Sequence, residues 1–348
     1  MSAAEPHTQF GRIYPPDEVW LAKQPPEPIL DPDLPIIDPH HHLWDRPNHR
    51  YLLEDFLVDV RSGHHVVATV FEECHSMYRA DGPEELRPVG ETEFVAGIAA
   101  RSASGLYGQM RVAAGIVGFA DLTLGDRVEP VLEALIRAGG GRFRGVRYST
   151  GWDASVAIGN SRTGTGPHVL RQPNFREGLA RLTALGLSLD AWLYHPQLDD
   201  VIDLARAFPN ARIIICHVGG PLGYGPYAGK RDEMFATWHT KMTQLATCPN
   251  VVVKLGGMIN RLAAFDYRAL AAPVSSTELA GYWRPYMETC IERFGPDRCM
   301  FESNFPVEKM GISWAVLWNT FKRIAAGASA EEKLDLFSGT ARRVYRLH

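Results

Sequence analysis

The chain has 348 residues but only five cysteines, with no C-x-x-C pair among them. An odd, scattered set argues against a disulfide framework or a thiolate zinc knuckle. No apolar stretch reaches the roughly 18 residues that span a bilayer. There is no long basic run, and the net charge is −4, so the electrostatic footprint of a nucleic-acid binder is missing. Met1–Gly11 has neither the basic start nor the apolar middle of a secretory signal. These absences point to the reducing cytoplasm and to a small-molecule substrate, with neither nucleic acid nor membrane as partner. What is present is 45% hydrophobic and 22% charged residues, enough for a sizeable core in one large domain or two ordinary ones. The 13 histidines are the useful excess.

Residues 1–34 hold Pro15, Pro16, Pro25, Pro26, Pro28 and Pro32. Proline at that density blocks helix and ladder hydrogen bonds, so an extended arm is expected, lying over the body or over a partner subunit. From residue 35 to 348 short apolar runs alternate with amphipathic stretches of helical period. Strands are expected at Pro35–Asp38, Val66–Phe71, Met110–Ile116, Phe143–Arg147, Leu187–Leu193, Ala211–Cys216, Val251–Leu255 and Cys299–Glu302. Helical stretches follow each of them. Eight strand–helix units fit an α/β fold of the (β/α)8 TIM-barrel type, and no G-x-G-x-x-G follows the first strand to support a doubly wound sheet.

Such barrels keep their chemistry at the C-terminal strand ends. The first strand runs into Asp38-Pro39-His40-His41-His42. By alternation Asp38, His40 and His42 share a face and His41 points away. Two imidazoles so spaced can converge on one metal ion, and zinc and iron(II) both accept imidazole nitrogen. The second strand ends at Glu72-Glu73, of which one faces the axis, with Glu73 favoured. Arg147 on the fourth strand suits a carboxylate or lactone oxygen, or a structural ion pair. His195 and His217 stand just beyond the fifth and sixth strands, and Gly219-Gly220 permits close backbone approach to a ligand. With His40 and His42 they form an expected ring of four histidines. Lys254 reads as a substrate contact or a rim charge.

The D-P-H-H-H-L-W-D run at 38–45, His195, His217-Val218-Gly219-Gly220-Pro221 and Phe301-Glu302-Ser303-Asn304-Phe305-Pro306 together resemble the amidohydrolase superfamily, in its amidohydrolase-related branch. That branch holds sugar and pyrone-dicarboxylate lactonases and metal-dependent aromatic decarboxylases. The resemblance implies hydrolysis by a metal-activated or base-activated water. It places metal ligation on His40 and His42, with His195 and His217 matching the fifth-strand and sixth-strand histidines; Glu73 is expected beside them as an added carboxylate ligand, a set that would suit iron.

One position departs from the family pattern. Asn304 stands where the family has a metal-binding, proton-accepting aspartate, and an amide cannot accept that proton. Glu302 or Glu73 is the expected replacement, and Glu302, Asn304 and Arg147 form the expected catalytic set. The expected function is therefore opening of a lactone or other cyclic ester or amide with zinc, manganese or iron. A non-haem iron oxygenase on the same scaffold is the alternative, and a silent partner subunit a further one. A homo-oligomer, or a hetero-oligomer with a related barrel, is expected. The polar loop Asn160–Pro167 is expected to cover the site.

Overall fold

The computed structural model describes residues 8–161 and 165–347. Eight parallel strands form one sheet: β1 (Ile36–His41), β4 (Val66–Glu72), β5 (Arg111–Gly118), β6 (Phe143–Ser149), β7 (Ser188–Trp192), β8 (Arg212–Ile215), β9 (Val251–Leu255) and β10 (Cys299–Phe301). Each pairs with the next in chain order. The sheet closes where the His42 amide donates to the Phe305 carbonyl at 2.7 Å and the Asn304 amide donates to the His40 carbonyl at 2.8 Å. Helices cover the outside, among them α1 (Leu53–Val60), α2 (Ser276–Phe294) and α3 (Trp314–Ile324). The result is a (β/α)8 barrel.

The strand sequences explain this layering. Val251-Val252-Val253-Lys254-Leu255 is buried throughout, as expected of a strand with helices outside and a filled interior. Inside the barrel Ile37, Val70, Val117, Ile214, Val252 and Met300 pack with Tyr345 and Leu347 from the C-terminal tail. Each large apolar side chain buried this way contributes roughly 1.5–3 kcal/mol.

Lys254 is neither a rim charge nor a substrate contact. It is fully buried, 2.9 Å from Asp190 and 3.1 Å from Glu72, and Tyr345 donates to Asp190 at 2.5 Å. Burial alone would discharge the lysine, but Asp190 and Glu72 hold it protonated. Burial and the neighbouring Asp190 push the Glu72 carboxyl well above the usual carboxylate range.

An element absent from the sequence reading is the hairpin of β2 (Trp44–Arg46) and β3 (His49–Tyr51). Three-residue strands show too little alternation to register. The turn lies at Pro47-Asn48, with Asn48 left-handed at φ 59°.

Residues 8–34 lie against the chain's own barrel. Thr8 N donates to Asp266 at 2.9 Å, Gly11 N to the Asn260 side chain at 2.8 Å, and Leu30 N to Asn319 at 3.0 Å.

Candidate active site

The C-terminal strand ends surround a cavity of about 410 Å³ bordered by His42, Glu73, Arg147, Trp192, His217 and Asn304. His40 lies beneath it, fully buried. Alternation along β1 places His40 and His42 inward, while His41 turns out and stacks on Phe56 of α1 at 4.4 Å.

The imidazoles are oriented through their Nδ1 atoms. His42 Nδ1 lies 2.8 Å from the Glu72 carbonyl, which can only accept, so the proton sits on Nδ1. Glu302 touches two rings at once: Oε2 lies 2.6 Å from His40 Nδ1, and Oε1 lies 2.7 Å from His217 Nδ1. A lone pair facing a carboxylate at those distances would repel, so these Nδ1 atoms also carry protons. In the neutral His40 and His42 rings the Nε2 atoms therefore present lone pairs. Carboxylate or carbonyl oxygens fixing the far nitrogen of each histidine are the arrangement that orients metal-ligating imidazoles.

His42 Nε2 lies 3.3 Å from His40 Nε2 and 3.2 Å from Asn304 Oδ1. Three acceptors thus converge with no proton to share between them, and a divalent cation answers that donor set. Burial holds the His40 and His42 rings neutral, well below the usual imidazole range, assisted by Lys254 beside His40 and Arg147 beside His42. Neutral imidazole is the ligating form.

The remaining expected residues fall in different places. Glu73 borders the cavity and accepts from Arg147 Nε at 2.9 Å, while its other oxygen lies 3.5 Å from Nε2 of His75. Arg147 Nη1 in turn lies 3.4 Å from His40 Nε2. Glu302 is enclosed between two rings, which leaves it positioning histidines and gives it no access to substrate water. His195 is not drawn into this cluster. Its Nδ1 accepts from Leu222 N at 3.4 Å, its ring packs on Tyr227, and burial lowers its pKa to about 4. The expected four-histidine ring is thus a three-histidine group. Gly220 serves packing and not ligand approach, since a Cβ there would meet the Leu193 carbonyl at 2.0 Å.

Local backbone strain marks the site. His217, Val218 and Asn304 have φ of 53°, 48° and 52°, and a β-branched residue there is a true outlier. Gly257, also left-handed at φ 65°, lies so close to His217 that a Cβ would stand 1.8 Å from Nδ1.

Three contributors lie outside the sequence reading. Glu308 is buried with Oε1 3.4 Å from Asn304 Nδ2 and Oε2 accepting from Ile259 N at 3.1 Å. The signal was its position four residues after Asn304, within a tight turn. Arg46 and Arg261 also line the cavity, from the hairpin and from the loop after β9. Of the expected covering loop, Asn160 and Ser161 border the cavity, while Arg162–Gly164 lie outside the described residues.

The amidohydrolase family model matches residues 37–347. The chain belongs to the amidohydrolase family. The protein y4mH of Sinorhizobium fredii is 33% identical over 90% of this chain and 99% of its own length. An L-fucono-1,5-lactonase of Burkholderia multivorans is 27% identical over 69% of this chain and 73% of its own. A crystal structure of an amidohydrolase from Burkholderia multivorans with bound zinc superposes with a TM-score of 0.68 at 24% identity, covering 90% of this chain and 99% of that one. This amidohydrolase has no helix among its described residues long and apolar enough to cross a membrane.

Proposed function

We propose that this amidohydrolase opens a lactone of a small molecule by activating water at the His40–His42–Asn304 cluster. The observation that carries the reading is the convergence of His40 Nε2, His42 Nε2 and Asn304 Oδ1 within 3.3 Å steps, each imidazole having its other nitrogen fixed. The likeness to a named lactonase supports the choice of a cyclic ester.

His40, His42 and Asn304 would hold a divalent cation, zinc or manganese before iron, with His217 on the same Glu302 carboxylate. Such an ion lowers the pKa of water from about 15.7 to about 7 and polarises an ester carbonyl. Arg147 stands beside the cluster with Nη1 toward His40 and is placed to hydrogen-bond the carbonyl oxygen as negative charge develops there. Asn304 can orient water but cannot take its proton. Glu73 is the carboxylate that borders the cavity, and Arg147 keeps it in place, so Glu73 is assigned the proton. Trp192 and Trp44 wall the cavity and limit bulk water around the reacting ester.

The oxygenase alternative needs Glu73 as a metal ligand. Glu73 lies on Arg147, and that reading gains no support from the relatives described.

The test is metal analysis of the purified protein together with pH-indicator assays on sugar-acid γ- and δ-lactones. Hydrolysis that chelation abolishes and zinc or manganese restores is expected. A metal-replete protein inert towards every cyclic ester and amide tried would overturn the reading.

A further inference from the structure

The charge lining the cavity is unbalanced. Among the described residues, three arginines, Arg46, Arg147 and Arg261, border it with one carboxylate, Glu73. Glu73 is matched to Arg147 at 2.9 Å. Arg46 and Arg261 have no ion pair among the described residues. Their contacts are of another kind. Arg46 donates from Nη2 to the Cys74 carbonyl at 2.6 Å and lies 4.0 Å over the Trp44 ring. Arg261 donates from Nη1 to the Tyr224 hydroxyl at 2.5 Å and lies 5.6 Å from the Trp192 ring and 5.1 Å from the Tyr194 ring.

Those contacts orient each guanidinium without neutralising it. Both arginines are half-buried, so part of their hydration is already lost. A partly desolvated cation gains most when an anion enters beside it. The planar fork of a guanidinium matches a carboxylate through two parallel hydrogen bonds. Arg147 and Arg261 also address the same indole, at 5.9 Å and 5.6 Å from the Trp192 ring centre. The arginine beside the metal cluster and an unmatched arginine are thus set along one aromatic wall. A cavity of about 410 Å³ takes one ring with a few substituents.

We infer that the substrate carries a carboxylate in addition to the ester that is opened, and that Arg261, with Arg46 as second donor, holds it. This rests on the hydrolase reading and narrows its lactone to an anionic one. In the reaction the acyl carbon–ring oxygen bond breaks, the oxygen of water bonds to the acyl carbon, and the ring oxygen takes up a proton. A lactone monocarboxylate therefore becomes a hydroxy-dicarboxylate. The reaction that supplies this substrate must close or oxidise a ring already bearing an acid group.

The experiment compares γ-butyrolactone with the same ring bearing a carboxylate on the carbon next to the ring oxygen, using the metal-loaded full chain. The expected result is a kcat/KM about tenfold or more higher for the carboxylated ring, carried by KM. Arg261→Gln and Arg46→Gln should each reduce that ratio, and Arg261→Lys, which keeps charge without the fork, should retain part of it. Binding of the opened hydroxy-dicarboxylate, followed by calorimetry, should weaken in the same variants and at high salt. Equal turnover of both lactones, with a ratio unmoved in either glutamine variant, overturns the anionic assignment and leaves the hydrolase reading standing. Arginine-dependent binding of the dicarboxylate without hydrolysis of any lactone does the reverse.

Discussion

The amide nitrogen of Asn304 stands 3.4 Å from Oε1 of Glu308. Burial pushes the Glu308 carboxyl up to about 8, so near neutral pH it is largely protonated. Its contribution to stability is full below the unfolded carboxyl value and is lost as pH rises through about 8. Asn304→Asp places a second carboxylate against it. The gap in melting temperature between wild type and Asn304→Asp should therefore widen from pH 6 to pH 9, roughly one to two units either side of that value. In an Glu308→Gln background the widening should vanish. A gap that does not change with pH would mean that the two side chains do not interact.

Glu302 holds His40 and His217 by their Nδ1 atoms. Glu302→Gln keeps the shape but removes the charge that fixes both tautomers. Metal affinity should fall about 10-fold to 100-fold, as when such outer partners are removed elsewhere. Competition with a chromogenic chelator measures it directly. Unchanged affinity would detach Glu302 from the ligands.

The paired imidazoles carry the metal reading. His40→Ala and His42→Ala should each lose metal, measured by elemental analysis, and lose lactone hydrolysis with it. His195→Ala should keep its metal, because the His195 ring packs on Tyr227 away from the cluster. Metal loss in the His195 variant would reinstate it as a ligand.

Gly257→Ala tests the packing beneath His217. The new methyl would stand 1.8 Å from Nδ1 at a φ of 65°. Destabilisation on the order of 2 kcal/mol or more in denaturant unfolding is expected, from strain and displacement together. Full stability with altered activity would show that the loop yields more easily than the contact implies.

His64 predicts an acid limb of stability. Burial, and then the charge of Lys322, lower its pKa to about 4. The neutral folded form is favoured, so stability is complete above the unfolded value near 6.5 and falls as pH drops towards 4. The loss is on the order of 3 kcal/mol at most. His64→Gln should flatten the fall between pH 6.5 and 4 relative to wild type. Parallel curves would assign the acid limb to other groups.

Much of this was legible in the residues. Apolar runs such as Val251–Leu255 named the strands, and alternation placed His40 and His42 together with His41 outside. What escaped was contact across distance. Nothing local to Glu73 announces that Arg147, 74 residues away, takes its carboxylate. Lys254 read as a substrate contact or a rim charge because a lysine in a barrel interior needs Glu72 and Asp190 from two other strands. His195 follows its strand much as His217 follows its own, but only His217 has Glu302 to draw it inward.

The seam of the barrel sets the order in which the molecule can become useful. Ser303 Oγ donates to Asp38 at 2.6 Å across 265 residues of chain, beside the two backbone bonds that join the first strand to the segment after the last. His40 and His42 lie on one side of that seam, Glu302 and Asn304 on the other. Glu72 reaches His42 from the neighbouring strand, but His40 waits for Glu302 and His42 for Asn304 until the last strand and the segment after it arrive. Assembly of this donor set and closure of the barrel are therefore a single event.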